Sequence, residues 1–472
     1  MSDLKESPPK FHFVTTEIDF KIPTEEKKIL AGNWCHNHSD PEKLNGKNFL
    51  TLEDVWLDAE LKKKDHIFIE NILYKYCGNL SSYLNKYNNE NFTTNFWKIL
   101  ILPWLAYYIP SQLRRWRIVN KILDKKEKFS FYSLPTEKIN KYSIDTINYN
   151  NLIKYDNEFN YFHFKRILEY LKAKGNEILF IEKDYIRKKN ENKKNFLLKK
   201  IRNFFLESID NVVLFLARNN ELFIEDIAFK KKDHFLINFK LNQFPAYFQK
   251  LFNYHLENDE FKKLKIDIKK RESIPFIDTI SIKENEEFIQ YLNFSIRKDI
   301  PVCFLEGFSN LKKSVKKINI KPRLILSAFK YLHSEKFKLW SALNTLKNNS
   351  KLVLVTHGGG EYKKFDPSFE IQREMSYKKI NWSIPKHEKE IQLPANKLMN
   401  HKKRRRNYKY LTYVDSRLSL FTTELGNAQF FPEVSLENIK KFNSALEKKI
   451  FNQLIYLPKS EYNWGCTNEI KN

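Results

Sequence analysis

The feature that most constrains this chain is a pair of apolar runs separated by one helical tract, near residues 323–360. RLILSAF at 323–329 reads as a strand, HSEKFKLWSALNTLKN at 333–348 as a helix, and KLVLVTHGGG at 351–360 as a second strand with a glycine-rich exit. In the helix, Phe337, Trp340, Leu343 and Leu346 recur at helical spacing. KLVLVT is almost wholly apolar, as a parallel strand covered on both faces must be. The unit is therefore β-α-β, and its consequence is a parallel sheet flanked by helices.

The same alternation continues on both sides. FHFVTT at 11–16 and ILAGNWC at 29–35 read as early strands, the second running into a turn at Gly32. Residues 51–85 read as mostly helical, and a second helical tract spans about Asn91 to Leu123, broken or bent near Pro103. The stretch 125–300 is lysine-rich and irregular, with a strand in NEILFIE at 176–182 and a helix in NFFLESIDNVVLFLA at 203–217. After the β-α-β unit come strands at INWSI (380–384) and YKYLTYVD (408–415), a helix at 438–454 and a last strand from Ile455. With 472 residues, the chain suits two domains. The expected division is an α/β lobe over 1–310 with helical insertions, on the acceptor side, and a Rossmann-like lobe over 311–472, on the donor side.

The formal charge is +26, with lysine runs such as Lys62-Lys63-Lys64 and the basic run 402–406. Such a charge suits nucleic acid, an anionic membrane surface or a phosphorylated ligand. Lys, Asn, Ile, Phe and Tyr are spread everywhere, as A+T-rich codon usage produces, so the charge is weak evidence for any of these. Trp97, Trp104 and Trp116 with Arg114, Arg115 and Arg117 have the composition of a nucleic-acid strip, but helical spacing explains the tryptophans as core. FWKILILPWLAYYIP at 96–110 is too short and interrupted to span a bilayer. It reads as a buried helix, with attachment to an anionic membrane face as the alternative. Four dispersed cysteines give no disulfide scaffold and no close-spaced metal motif, which fits a reducing cytosol. No secretory leader is read in Met1–Pro23.

Candidate chemistry gathers at the strand exits. His357-Gly358-Gly359-Gly360 offers backbone N–H groups to a phosphate or carboxylate, and His357 can donate to that anion or transfer a proton. The alternative is a glycine-rich turn with a packed histidine. Glu361 follows, and Glu370 and Glu374 share a face if their segment is helical. Glu370 is the carboxylate proposed as general base. Glu306 ends an apolar run beside Gly307 and is expected near an inter-lobe cleft, as a catalytic group or as linker geometry. Arg323, at a strand start, is a ligand-binding candidate or a salt-bridging residue. Asn33 can hydrogen-bond a ligand, and Trp34 can stack on a sugar or base or serve as core. His36 and His38 lack a third close ligand, so no metal site and no cofactor is expected.

These elements, taken in order, resemble a known family. GNWC at 32–35, the tract 96–109, LEGF at 305–308, FKLW at 337–340, the histidine-triglycine element and YNWG at 462–465 are similar to transferases of bacterial surface-carbohydrate and O-antigen clusters. That family was first described in Leptospira and is related to capsule polysaccharide transferases. Two departures stand out. Glu361-Tyr362-Lys363 replaces the family's Tyr-Gly after the triglycine, and FEIQRE at 369–374 lacks the family's histidine. The chain stops soon after YNWG, so the expected second lobe is cut short.

The resemblance implies an α/β fold of two Rossmann-like lobes like a GT-B glycosyltransferase. It also implies a nucleotide-sugar donor of the CMP-linked kind and a lipid-linked or saccharide acceptor. The expected place is the cytoplasm, at the inner face of the cell membrane, with nucleic acid disfavoured as a partner. The alternative is a non-catalytic surface-polysaccharide assembly protein that keeps a sugar-phosphate site.

Overall fold

The computed structural model describes residues 9–36, 48–135, 141–185, 196–227, 229–248, 251–253, 256, 261, 263–276, 285–358, 370–395, 410–414, 420–421, 425 and 432–457. Gly359, Gly360, Glu361, the basic run 402–406 and YNWG at 462–465 lie outside the described residues.

The fold is built on two separate five-stranded parallel sheets with helices around them. The first contains β1 (Phe11–Val14), β2 (Lys28–Leu30), β3 (Phe49–Thr51), β4 (Phe129–Ser133) and β5 (Ile178–Glu182), in the spatial order β3-β2-β1-β4-β5. The chain moves outward from β1 to β3 and then returns to the other side of β1. This reversal between β1 and β4 is the switch point of a Rossmann-type half. β4 was not expected from sequence. Its five residues are buried without alternation, and only their place at the centre of the sheet marks them as a strand.

The second sheet contains β6 (Leu222–Glu225), β7 (Leu324–Ser327), β8 (Lys351–Val355), β9 (Lys378–Asn381) and β10 (Glu390–Gln392), in sequential order. Its described strands step in one direction and have no reversal. β6 comes from within the stretch expected to form the first lobe, about a hundred residues before β7, and pairs with it through Leu222↔Leu324 and Glu225↔Ser327. β11 (Leu411–Val414) and β12 (Leu454–Leu457) form a small parallel pair of their own.

Eight longer helices position the site: α1 (Ala59–Asn88), α2 (Thr94–Leu123), α3 (Thr146–Tyr155), α4 (Asn157–Ala173), α5 (Phe196–Leu216), α6 (Lys231–Lys240), α7 (Glu286–Asp299) and α8 (Phe308–Lys316). α9 (Glu335–Asn348) and α10 (Pro432–Ala445) complete the set. α2 is the spine of the molecule and packs on α1, α3, α4, α7 and α9. It starts at Thr93, whose hydroxyl accepts from Phe96 N at 3.3 Å, and runs through both Pro103 and Pro110. Of the expected break or bend near Pro103, the break does not occur, since one helix runs through both prolines. A helix buried on nearly every side around its two prolines gains enough from burial to offset a missing internal N–H, a loss of about 3 kcal/mol.

Burial of α2 also decides the readings of its aromatic and basic residues. Trp97 and Trp104 are fully buried, and Trp116 nearly so. Arg114 pairs with Asp54, Arg115 binds Ser111 O and Asn160, and Arg117 binds Asp65 at 2.7 Å. These side chains are core and internal ion pairs, so this strip faces neither lipid nor nucleic acid. No described helix is long and apolar enough to cross a membrane.

Candidate functional site

Parallel strands deliver their C-terminal residues to one edge, and residues that follow β2 and β7, Trp34 and His333, each reach a side chain of α2. In the first sheet the edge is largely filled by the chain itself. Tyr161 OH donates to Tyr132 O at 2.6 Å, and Lys165 Nζ reaches Ser133 Oγ at 2.8 Å and Leu134 O at 3.0 Å. Asp19 accepts from the backbone and hydroxyl groups of Thr15 and Thr16 at 2.7–2.9 Å. Burial pushes the Asp19 carboxyl up, against the opposing pull of those donors.

Trp34 leaves β2 through a short 3-10 turn at Asn33–His36 and is buried. Its Nε1 donates to Thr15 O at 2.9 Å, its ring lies 5.8 Å from Phe421, and the Arg114 guanidinium sits 5.0 Å from it. Trp34 is thus a packed core ring at the rim of this edge. Asn33 beside it is partly exposed.

In the second sheet the edge is richer in polar and titratable side chains. β6 ends in Glu225, β7 in Ser327, and β8 runs into Thr356 and His357. Ser327 and Thr356 are fully buried, and among the described residues neither hydroxyl has a hydrogen-bond partner. Buried hydroxyls are normally satisfied, so these two on neighbouring strands leave hydrogen-bonding capacity at this edge. Glu225 faces Lys330 Nζ at 3.5 Å. Burial pushes its carboxyl up to about 7, against the opposing charge of Lys330. A carboxyl titrating near neutrality is suited to proton transfer. Glu225 was not foreseen, because LFIE sits in the irregular stretch 125–300 with no glycine or turn motif beside it.

A run of contacts connects the two edges. The His357 ring lies 4.8 Å from Phe329, Phe329 lies 4.7 Å from His333, and His333 Nε2 is 3.2 Å from Tyr107 OH on α2. The Lys154 ammonium sits 5.6 Å from the Tyr107 ring, and Lys154 O accepts from Phe421 N at 3.0 Å. Phe421 then meets Trp34. Tyr107 and Arg114 are seven residues apart on α2, two turns on one helical face, about 10.5 Å along its axis.

The other expected site residues fall in different places. Gly358 follows His357 at the edge. Arg323 lies at the opposite, N-terminal end of β7, 82% exposed, and pairs with Glu221 at 3.5 Å. Glu306 lies at the start of α8 and is gripped by Arg271, with Nε to Oε1 at 2.8 Å and Nη2 to Oε2 at 2.6 Å. Burial alone would raise its carboxyl, but the Arg271 hydrogen bonds and charge outweigh it and hold it below the ordinary range. That carboxylate anchors an arginine and is poorly placed to accept a proton. It lines a cavity of about 450 Å³ together with Tyr87, Lys270 and Lys312.

Glu370 comes against α1. Its Oε1 is 3.7 Å from His66 Nε2, which is 3.4 Å from Glu70 Oε2. His66 is nearly buried, and burial lowers its pKa despite Glu70. No sequence motif announces this group, because residues 66 and 370 meet only through the packing of α1 beside the segment leaving β8.

Among known proteins, residues 11–472 match the family described as LIC12162 family transferase. No curated protein and no solved structure matches.

Proposed function

The chain belongs to the LIC12162 family of transferases, and from that premise we propose that it is a glycosyltransferase acting on a nucleotide-sugar donor. The observation that carries this reading is the second sheet's C-terminal edge. There Glu225, Lys330, Ser327, Thr356 and His357 gather on adjacent strands and their exits, and the ring contacts lead from them across α2 to the first sheet. Two distinct parallel sheets with helices around them support a two-lobed, GT-B-like reading, with donor on one side and acceptor on the other.

In this mechanism an acceptor hydroxyl attacks the anomeric carbon of the donor, and the bond to the nucleotide phosphate breaks. Glu225 takes the hydroxyl proton, since it is half-ionised near pH 7. Lys330, the His357 side chain and the buried hydroxyls steady the departing phosphate. Neutral Glu225 can then return a proton to solvent or leaving group. The donor is taken to be of the CMP-linked kind and the acceptor a growing surface polysaccharide or O-antigen chain. Both rest on the family resemblance.

We further place the enzyme at an anionic membrane surface. α5 carries Phe205, Ile209, Val212 and Leu216 at helical spacing with Phe215 beside them. All are exposed, Phe205 at 65% and Phe215 at 63%, and exposed Arg202 and Arg218 flank them. An apolar stripe framed by arginines fits insertion at an anionic headgroup boundary.

The test is binding of CMP, UDP, GDP and TDP to the wild type and to His357→Ala and Glu225→Gln proteins. Saturable binding of one nucleotide, weakened by His357→Ala, supports the reading and names the donor class. Glu225→Gln should retain binding and lose turnover. Binding of none by folded protein would overturn the enzyme reading in favour of a non-catalytic assembly protein.

A further inference from the structure

We propose that His66, Glu70 and Glu370 form a binding site for a divalent first-row cation, with zinc the best match. The donors come from two places about three hundred residues apart. His66 and Glu70 occupy adjacent turns of α1, and Glu370 precedes the short helix Gln372–Met375 that follows β8. All three ligand atoms lie within 4.8 Å of one another.

Geometry supports the assignment. Zinc binds imidazole nitrogen and carboxylate oxygen at about 2.0–2.2 Å, and a tetrahedral arrangement at that length sets neighbouring donors about 3.4 Å apart. The His66 Nε2 to Glu70 Oε2 gap is 3.4 Å, and the gap to Glu370 Oε1 is 3.7 Å. Imidazole nitrogen and carboxylate oxygen are both ligand types that zinc takes, and three protein donors leave the fourth tetrahedral position to water or substrate.

Charge supports it as well. Glu374 is also close, since it acts with Glu370 and Glu70 on the Tyr74 phenol. Among the described residues, Lys98 is engaged with Glu374 at 3.4 Å, and Arg373 also acts on the Tyr74 phenol. On a chain of net charge +26, this face gathers three carboxylates around one imidazole. Like charges so close repel, and a cation held between them relieves that repulsion. A bound cation would also tie α1 to the far end of the segment that begins with the His357-Gly358 turn. The competing arrangement is an imidazolium hydrogen-bonded between two carboxylates, which takes up no metal.

The experiment uses the full chain, stripped with a chelator and titrated with Co²⁺ by visible absorption and with Zn²⁺ by calorimetry. The variants are His66→Gln, Glu70→Gln and Glu370→Gln, with exposed Glu60→Gln as control. The expected result is saturable uptake of a single equivalent, a four-coordinate Co²⁺ spectrum, and affinity weakened at least about tenfold in each site variant but not in the control. Circular dichroism identifies any variant that misfolds, and the remaining ones then decide. Absent or non-saturable uptake by wild type, or uptake unchanged in the folded site variants, would overturn the proposal. The readout is metal uptake, so it stands or falls separately from nucleotide binding.

Discussion

Tyr107 OH and His333 Nε2 lie 3.2 Å apart with their rings nearly parallel, at an interplanar angle of 6°. One residue belongs to the spine helix α2, and the other to the turn between β7 and α9. The pair joins the core helix to the edge where Glu225 and His357 sit. Tyr107→Phe keeps the ring stacking and removes the hydroxyl. The expected cost is about 1–2 kcal/mol in a chemical melt, the range for losing one buried hydrogen bond. Turnover should fall more than this stability loss explains, because His333 then loses its orientation. A variant with wild-type turnover would detach Tyr107 from the site.

Glu225 makes a pH prediction. Its folded-state pKa of about 7 lies above the ordinary carboxyl range. Between roughly pH 4.5 and 7 the unfolded chain releases this proton while the folded chain keeps it. Stability therefore declines as pH rises through that window, by a few kcal/mol at about 1.4 per unit. Asp145, pushed up to about 7 by burial and then by Glu335, contributes in the same direction. Glu225→Gln should flatten part of the decline in melts from pH 4.5 to 8. An unchanged slope would show that Glu225 does not titrate as described.

Lys338 is a buried lysine with three acceptors: Glu335 Oε1 at 2.9 Å, Thr146 Oγ1 at 3.0 Å and Leu100 O at 3.2 Å. It joins α9 to α2 and α3. Lys338→Met strands the Glu335 carboxylate and should cost about 3–5 kcal/mol, and the double variant with Glu335→Gln should recover much of that. Equal losses in single and double variants would mean that packing, and not charge, holds this junction.

Gly32 leaves room for Trp34. A Cβ there would overlap the six-membered part of the indole. Gly32→Ala should displace the ring, break its 2.9 Å bond to Thr15 O and cost about 1–3 kcal/mol, with a shift in tryptophan emission. An unshifted spectrum would show that the loop yields instead.

The exposed stripe on α5 should govern membrane capture. Phe205→Ser with Phe215→Ser is expected to abolish flotation with vesicles rich in anionic lipid while leaving the melting temperature unchanged. Loss of flotation with neutral vesicles only, or none at all, would exclude the stripe as the docking element.

Much of the architecture is legible in the chain. The run KLVLVT after an amphipathic helix can only be a buried parallel strand, and the apolar faces of α1, α2 and α9 are written at helical spacing. The family is legible too, in the order of GNWC, LEGF, FKLW and the histidine-glycine element. β4 and β6 were not legible, because a short buried strand carries no period of its own. Pairing in the sheet is what makes it a strand.

The reading of Trp34 and Arg114 needed the fold, because burial and partners separate a core ring or an internal ion pair from a ligand contact. Glu306 and Arg323 show the same limit. One meets Arg271 and the other stands at the wrong end of its strand, and neither fact is local. Glu225 beside Lys330, and Glu370 beside His66, are contacts between residues a hundred to three hundred positions apart. Chain propensities act over a few residues, whereas desolvation and charge depend on what packing brings close. Sequence alone therefore determined the long periodic elements and the family, and the tertiary structure decided which short buried runs are strands and which side chains share a site.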